Sequence, residues 1–211
     1  MISRFRVLSR DSATHHAFSV ARDGDLRQGD RRPFSVEHRV SAEWATVDQV
    51  HAGRVVVATE PGMQGEGDAL VTRTRDLPVA IFTADCLGLV FEGTGVVGVA
   101  HAGWRGLQAG VLEATVEVMR ALGSSPHRVT AGPGIRRCCY EVGPEVAAVF
   151  PDSRALTTWG TVSVDLMAES KRRLPGLVFD EYGGCTGCDD GHFSYRNGAT
   201  VERMVAMGWL R

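Results

Sequence analysis

Lysine is nearly absent from this chain: Lys171 is the only one among 23 basic residues, which face 25 acidic ones. The formal net charge of −2 leaves no cationic excess that would draw the protein to nucleic acid or an anionic bilayer, so neither is expected as a partner. No run of eighteen apolar residues occurs, which argues against a membrane-spanning helix. The opening MISRFRVLSRDSATHHAFSV is interrupted by Arg, Ser, Asp and His and lacks the apolar centre of a secretory signal. Cysteines number five. An odd count without an export signal points to the reducing cytoplasm, with thiols free or metal-bound rather than bridged. Several motifs are also missing. There is no G-x-S-x-G elbow for a serine hydrolase, no Walker A loop, and no H-x-H pair among the seven histidines.

What is present suits one globular domain. The chain has 211 residues with 44% hydrophobic content, enough to bury a substantial core. The first 40 residues are polar; FRVLS suggests a strand and DGDLRQGDRRP a loop. From Trp44 onward, short apolar runs alternate with turns. Strands are predicted at RVVVAT (54–59), ALVT, PVAIFTA, LGLVFEG, VVGVAHAG, RVTAGPGI and GLVFDEYGG, with a Gly-rich loop over 61–68. Leu107, Val111, Ala114, Val118 and Leu122 recur every three or four residues, which predicts one amphipathic helix of about five turns ending at Gly123. Shorter helices are predicted at PEVAAVF and VDLMAESKRRL, and a weak closing element at ATVERMVAMGWL. Strands mixed with helices, with no break in composition, indicate a single α/β or α+β domain spanning 1–211. Gly93, Gly95 and Gly98 fit the dinucleotide fingerprint G-x-G-x-x-G, but the chain continues as a strand, so a hairpin turn is the better reading.

Cys86 and His101 lie fifteen residues apart in strand-like settings, and His51 precedes them in VDQVHAG. Three protein ligands with one open position describe a catalytic zinc site, but spacings of 35 and 15 match no short metal motif. Each residue also has a plain structural reading: a buried cysteine packs as a small hydrophobe, and a lone histidine is more often structural than ligating. Asp85, beside Cys86, could orient a ligand histidine, act as a general acid or base, or close a turn. Arg105 follows the strand-to-helix turn after His101. A cation there opposes the helix dipole, so it is either a phosphate contact or simply exposed. Cys138 and Cys139 are adjacent, and Cys185 and Cys188 form C-x-x-C in a loop. Ordinary loop thiols are the favoured reading. A structural Cys₄ zinc, with His192 as a spare ligand, comes second, and a thioredoxin-like redox pair fails for want of a following helix.

The ordered motifs DALVT, TADCLGLVF, VGVAHAGWRGLQAGV, AGPGIRRCCYEVG and CTGCDDGHFSYRNGA resemble the bacterial YfiH family, the laccase-domain or polyphenol oxidase-like proteins, over roughly 47–198. The resemblance implies one α/β domain with mixed β-sheets sandwiched between helical layers. It implies a Zn²⁺ held by His51, Cys86 and His101, and phosphorolysis of adenosine, inosine, guanosine or methylthioadenosine with possible adenosine deamination. On this reading Arg105 and Arg196 bind phosphate or substrate, and Asp85 supplies the proton. The small-molecule partners are then a nucleoside and phosphate; no oligomeric state is implied. Residues 1–45 match the family poorly, with HAFSVARDGD standing where a G-F-[FS]-T-R-like start is expected. At the far end, Arg196, Asn197 and Gly198 replace R-R-D-G, losing one basic and one acidic position, and Cys188 looks like an addition. Alternatives are copper-dependent polyphenol oxidation, a cysteine hydrolase with Cys86 as nucleophile and His101 as base, and a non-catalytic partner protein.

Overall fold

A computed structural model describes residues 14–199 and 201–211. The predicted strand FRVLS lies outside the described residues. In chain order the elements are β1 (Thr14–Phe18), α1 (Arg32–His38), β2 (Ala45–Asp48), β3 (Val55–Val57), β4 (Gly62–Glu66), β5 (Ala69–Thr72), β6 (Val79–Thr83), β7 (Leu87–Gly93) and β8 (Val96–Ala102). They continue as α2 (Trp104–Gln108), α3 (Val111–Ala121), β9 (Pro126–Ala131), α4 (Pro144–Val149), β10 (Arg154–Leu156), β11 (Val162–Val164), α5 (Leu166–Arg173), β12 (Val178–Glu181) and β13 (Met204–Leu210).

Two mixed sheets pack face to face. One runs β1-β13-β6-β2-β4 and the other β12-β9-β7-β8-β5-β3, with β10 and β11 forming a separate hairpin. Val79 and Ile81 of the first sheet meet Leu70, Val90, Val97 and Val99 of the second in a shared apolar layer. The outer face of the second sheet packs Leu89, Phe91 and Ala100 against Leu107, Leu112, Met119 and Leu166 from the helices. The outer face of the first sheet covers Trp209 and Met207 with Phe34 of α1 and Trp44. This is the expected arrangement of sheets between helical layers. Because both faces of the central strands are covered, β7 and β8 read as continuous apolar runs and every residue in them is buried.

Two expectations are corrected, and one left without a type is resolved. Residues 61–68, whose glycines predict a loop, contain the edge strand β4, paired in parallel with β2 and largely exposed. An exposed edge needs no apolar alternation, so its sequence carries no strand pattern. The predicted five-turn helix is divided into α2 and α3 at Gly110, whose φ of 81° lies in the left-handed region. The buried stripe of α3 is accordingly Val111, Leu112, Thr115, Val116 and Met119 rather than one continuing through Ala114 and Val118. The weak closing element is β13, buried throughout between β1 and β6. The turn between Gly93 and Gly98 is the predicted hairpin, with Gly93 opposite Val96. Among the described residues no helix is long and apolar enough to cross a membrane.

A Cβ at Gly110 would meet nothing closer than Glu113 Oε2 at 3.8 Å, so the demand on this residue is purely one of backbone conformation. Gly110→Ala should therefore cost about 1–2 kcal/mol, read as a lower urea midpoint at unchanged slope. Unchanged stability would mean that the chain does not turn left-handed there.

Candidate metal centre

The β7–β8 hairpin explains how residues fifteen apart in sequence become neighbours. Antiparallel pairing sets Leu87 opposite Ala102 and Gly88 opposite His101, so the start of β7 and the end of β8 coincide. Cys86 lies just before β7, and His101 is the penultimate residue of β8. β5 pairs antiparallel with β8, placing Ala69 opposite Ala100, so Asp68 reaches the same rim. His51 arrives on the loop between β2 and β3. Ligand atoms of His51, Cys86 and His101 all lie within 4.8 Å of one another, with His51 exposed and His101 buried. The two imidazole rings stand edge to face with centroids 4.7 Å apart.

Asp68 organises this set. Its buried carboxylate lies 2.8 Å from His101 Nδ1, and its oxygens accept from the backbone N–H of Val50 (3.2 Å), His51 (3.0 Å) and Ala52 (2.6 Å). The Asp68 carbonyl also accepts from the His101 backbone N–H at 2.7 Å. One carboxylate thus fixes both the loop that carries His51 and the ring of His101. With Nδ1 committed to Asp68, His101 presents Nε2 as its ligand atom, the arrangement that orients metal-bound histidines. Burial raises the Asp68 pKa, but the His101 hydrogen bond and the backbone donors outweigh it and hold the carboxyl below its usual range. His51 has a φ of 58°, and Asp68's three-donor cradle holds that turn. Gln49 fastens the loop from the other side: its side-chain amide donates to the Phe82 carbonyl and accepts from the Phe82 N–H, both at 2.8 Å, in place of a strand partner.

Burial pushes the Cys86 thiol up, but the charge of His101 and hydrogen bonds from both histidines reverse this and bring its pKa from 9.0 to about 6. Burial works against the His101 imidazolium, while Cys86 and Asp68 raise its pKa from 6.5 to about 9. The two shifts run in opposite directions and favour a thiolate beside an imidazolium. Gly103 closes one wall: a Cβ there would lie 2.7 Å from Cys86 Sγ and 3.3 Å from His51 Cδ2, leaving no room for a side chain. Two imidazoles and a thiolate suit zinc or another late first-row ion, so the residues present fit a metal.

Asp85 does not orient a ligand histidine; Asp68 does. Asp85 is buried with a φ of 90°, and both its carboxylate oxygens are occupied. Oδ1 accepts from Thr186 Oγ1 at 2.6 Å and Oδ2 from the Arg196 N–H at 2.9 Å. It latches the 185–196 loop to the residue preceding Cys86. Arg105 is exposed in α2, with its guanidinium 4.4 Å above the Trp104 ring. α2 has only five residues, so an anion here depends on the side chain rather than on the dipole of a long helix. The Arg196 guanidinium stacks 5.2 Å over Tyr140 and donates to the Glu141 carbonyl at 3.0 Å. Among the described residues neither arginine is within ion-pair distance of a carboxylate. Tyr140 is a residue that sequence reasoning passed over. Burial raises its phenol pKa, as do Cys86 and Asp85, while Arg196 and Arg105 lower it, which places the ring amid all four. Beside it, a cleft of about 740 Å³ is lined by Glu141, Trp159, Arg196 and Asn197. None of the three ligands lines this cleft, nor the other large cavity, about 670 Å³ beside Phe18 and Tyr182.

Known proteins bear on this site. The model of the family described as multi-copper polyphenol oxidoreductase laccase matches residues 20–211. A Streptomyces griseus protein named purine nucleoside phosphorylase ORF3 is 41% identical over 179 residues, covering 78% of this chain and 73% of that protein. A Deinococcus radiodurans protein named purine nucleoside phosphorylase is 36% identical over 226 residues, covering 92% and 88%. Among solved structures, YlmD of Geobacillus stearothermophilus superposes with a TM-score of 0.85 at 21% identity, covering 99% of this chain and 100% of that one. The YfiH protein of Bacillus licheniformis gives 0.84 at 22%, covering 94% and 93%.

Two outcomes follow from this geometry. Asp68→Asn should weaken metal binding about 10–100-fold in chelator competition while the circular dichroism spectrum stays native; wild-type affinity would remove Asp68 from its organising role. In chelator-stripped protein, Cys86 alkylation should titrate with a midpoint near pH 6, because the thiolate is the reactive form. A midpoint near the ordinary thiol value would show that His101 does not stabilise the thiolate.

Proposed function

Since the chain belongs to this YfiH-type, laccase-like family, we propose that it is a zinc-dependent purine nucleoside phosphorylase. The observation that carries the reading is the His51–Cys86–His101 donor set, whose ligand atoms lie within 4.8 Å of one another, with Arg105 and Arg196, neither ion-paired among the described residues, both acting on the phenol of Tyr140. The phosphorylase names of the 41% and 36% identical relatives support the same reading. Zinc bound by His51, Cys86 and His101 would supply Lewis acidity at an open coordination position.

The chain's own residues divide the remaining work. Phosphorolysis forms a bond between a phosphate oxygen and the anomeric carbon and breaks the bond to the purine, which leaves with the electron pair and takes up a proton. Arg105 and Arg196 bind phosphate through charge-assisted hydrogen bonds. The purine would stack on the exposed Trp159 ring in the cleft that Arg196 also lines, with sugar and phosphate extending past its edge toward the metal ligands, which lie outside its lining. Asp85, with both oxygens engaged, holds Arg196 in position. Tyr140, whose raised pKa keeps it protonated, takes over from Asp85 as the proton or hydrogen-bond donor to the departing base. Adenosine, inosine, guanosine and methylthioadenosine share the purine that this cleft would hold. Adenosine deamination would draw on the same ligands and is distinguished by ammonia release without phosphate.

A second reading rests on one observation: Asp68, His101 and Cys86 stand in the order of an acid–base–nucleophile triad with the thiol already lowered. It predicts a thiol hydrolase. Copper oxidation of phenols is weaker. The single His51–Cys86–His101 set would hold one copper, whereas coupling phenol oxidation to oxygen reduction calls for several.

Incubation with inosine should release hypoxanthine only when phosphate is added. Cys86→Ala or stripping the metal should lower the rate by at least about 100-fold. Release without phosphate that survives chelation would support the thiol hydrolase and overturn the phosphorylase.

A further inference from the structure

The four cysteines outside the candidate centre form a cluster of their own. Cys138 and Cys139 sit on the turn after β9, and Cys185 and Cys188 on the turn after β12. Their sulfur atoms all lie within 4.8 Å of one another, with Cys188 Sγ 3.0 Å from Cys139 Sγ and 3.4 Å from Cys138 Sγ. From these coordinates we propose that Cys138, Cys139, Cys185 and Cys188 bind a second, structural zinc ion as a tetrathiolate site, separate from the His51–Cys86–His101 centre.

Three features favour a metal over packed thiols. First, tetrahedral Zn–S bonds of about 2.3 Å set sulfurs roughly 3.8 Å apart; all four sulfurs lie within 4.8 Å of one another, and the pairs at 3.0 and 3.4 Å need only open by less than an ångström to admit an ion. Second, the cluster straddles the edge of the core: Cys139 and Cys185 pack against it, but Cys188 is exposed and none of the four is fully enclosed, as an inert packed cysteine commonly is. Third, backbone N–H groups already point at sulfur. The Arg136 N–H donates to Cys185 Sγ at 3.2 Å, the kind of outer contact that stabilises a metal-bound thiolate. Gly187 makes the approach of the two turns possible, since a Cβ there would lie 2.6 Å from Cys139 Cβ. His192 is not part of the set; its Nδ1 lies 3.2 Å from Asp189 Oδ2. Cys138 and Cys139 both reach the cluster, with Cys188 Sγ near each of them, and Cys185 and Cys188 share one tight turn in which the Cys188 N–H donates to the Cys185 carbonyl at 3.1 Å.

The place of the cluster gives the ion a task. Thr186, inside the C-x-x-C turn, is the residue that bonds Asp85, and Asn197 Nδ2 donates to the Gly187 carbonyl at 3.3 Å. Cys139 and Gly187 form part of the wall of the cleft that also contains Arg196. Apart from the single Gly134–Cys185 bridge, the two turns belong to no strand or helix. A tetrathiolate ion would clamp the loop carrying Thr186 and Arg196 beside the metal centre.

Metal analysis of the full chain, purified under reductant without added metal, tests this. About two zinc ions per chain are expected. Cys188→Ser and Cys138→Ser should each reduce this to about one and lower the melting temperature, while His101→Ala should also reduce it to about one by emptying the other site. Cobalt-loaded wild-type protein should show strong sulfur-to-metal charge-transfer bands that Cys188→Ser largely loses. A wild-type content of one zinc, unchanged by Cys188→Ser, would overturn the proposal. So would mass spectrometry finding any two of the four cysteines joined as a disulfide in the reductant-purified protein.

Discussion

A single buried carboxylate, that of Asp68, sets the geometry on which the candidate centre depends. A charge taken out of water is costly unless it is well matched. Here three backbone N–H groups and one imidazole N–H surround it. Those same donors are the ones that need placing: the turn of His51, with its left-handed backbone, and the ring of His101. Removing the carboxylate would leave several polar groups buried without a partner and release both histidines at once. The rest of the scaffold brings the pieces to Asp68. The β7–β8 register delivers Cys86 next to His101, β5 delivers Asp68 to the same rim, and Gln49 ties the incoming loop to β6.

Much of this was legible in the residues. The apolar runs of β6, β7 and β8 could be read directly, because strands buried on both faces leave little but Val, Ile, Leu, Phe and Ala. The hairpin reading of Gly93–Gly98 already implied that Cys86 and His101 would be close, since antiparallel pairing folds fifteen residues back on themselves. His51 was not reachable that way. It lies on the loop that crosses from β2 of one sheet to β3 of the other, and only the family resemblance joins it to the pair. Asp68, in DALVT, carries no signal of its role in the sequence, because a carboxylate at the end of a Gly-rich stretch looks like any loop acid. The duty of orienting histidine was offered instead to Asp85, the carboxylate nearest in sequence to a ligand. Tertiary placement reversed that choice: Asp85 faces Thr186 and Arg196, a hundred residues downstream. The edge strand β4 and the break at Gly110 escaped notice because neither an exposed edge nor one left-handed residue alters hydrophobic periodicity.

Asp85 and Asp68 thus play matching parts on either side of Cys86. Asp68 holds the ligands from within the sheet sandwich. Asp85 holds the loop carrying Arg196, which faces solvent over Tyr140. Placing the exposed arginines on loops and short helices, and the ligands on the rim of a rigid double sheet, separates two needs: metal binding wants fixed donors, and substrate exchange wants an accessible surface. The four-cysteine cluster lies on the loop side of this division, where few backbone pairings exist to stiffen the chain.

The most direct test of the account is anomalous diffraction at the zinc edge from crystals of the metal-loaded protein. The account predicts a peak within about 2.0–2.3 Å of His51, Cys86 Sγ and His101 Nε2, with Asp68 still bonded to His101 Nδ1. No peak at that position in crystals that carry zinc elsewhere, or a peak there with the His101 ring turned away from Asp68, would contradict it.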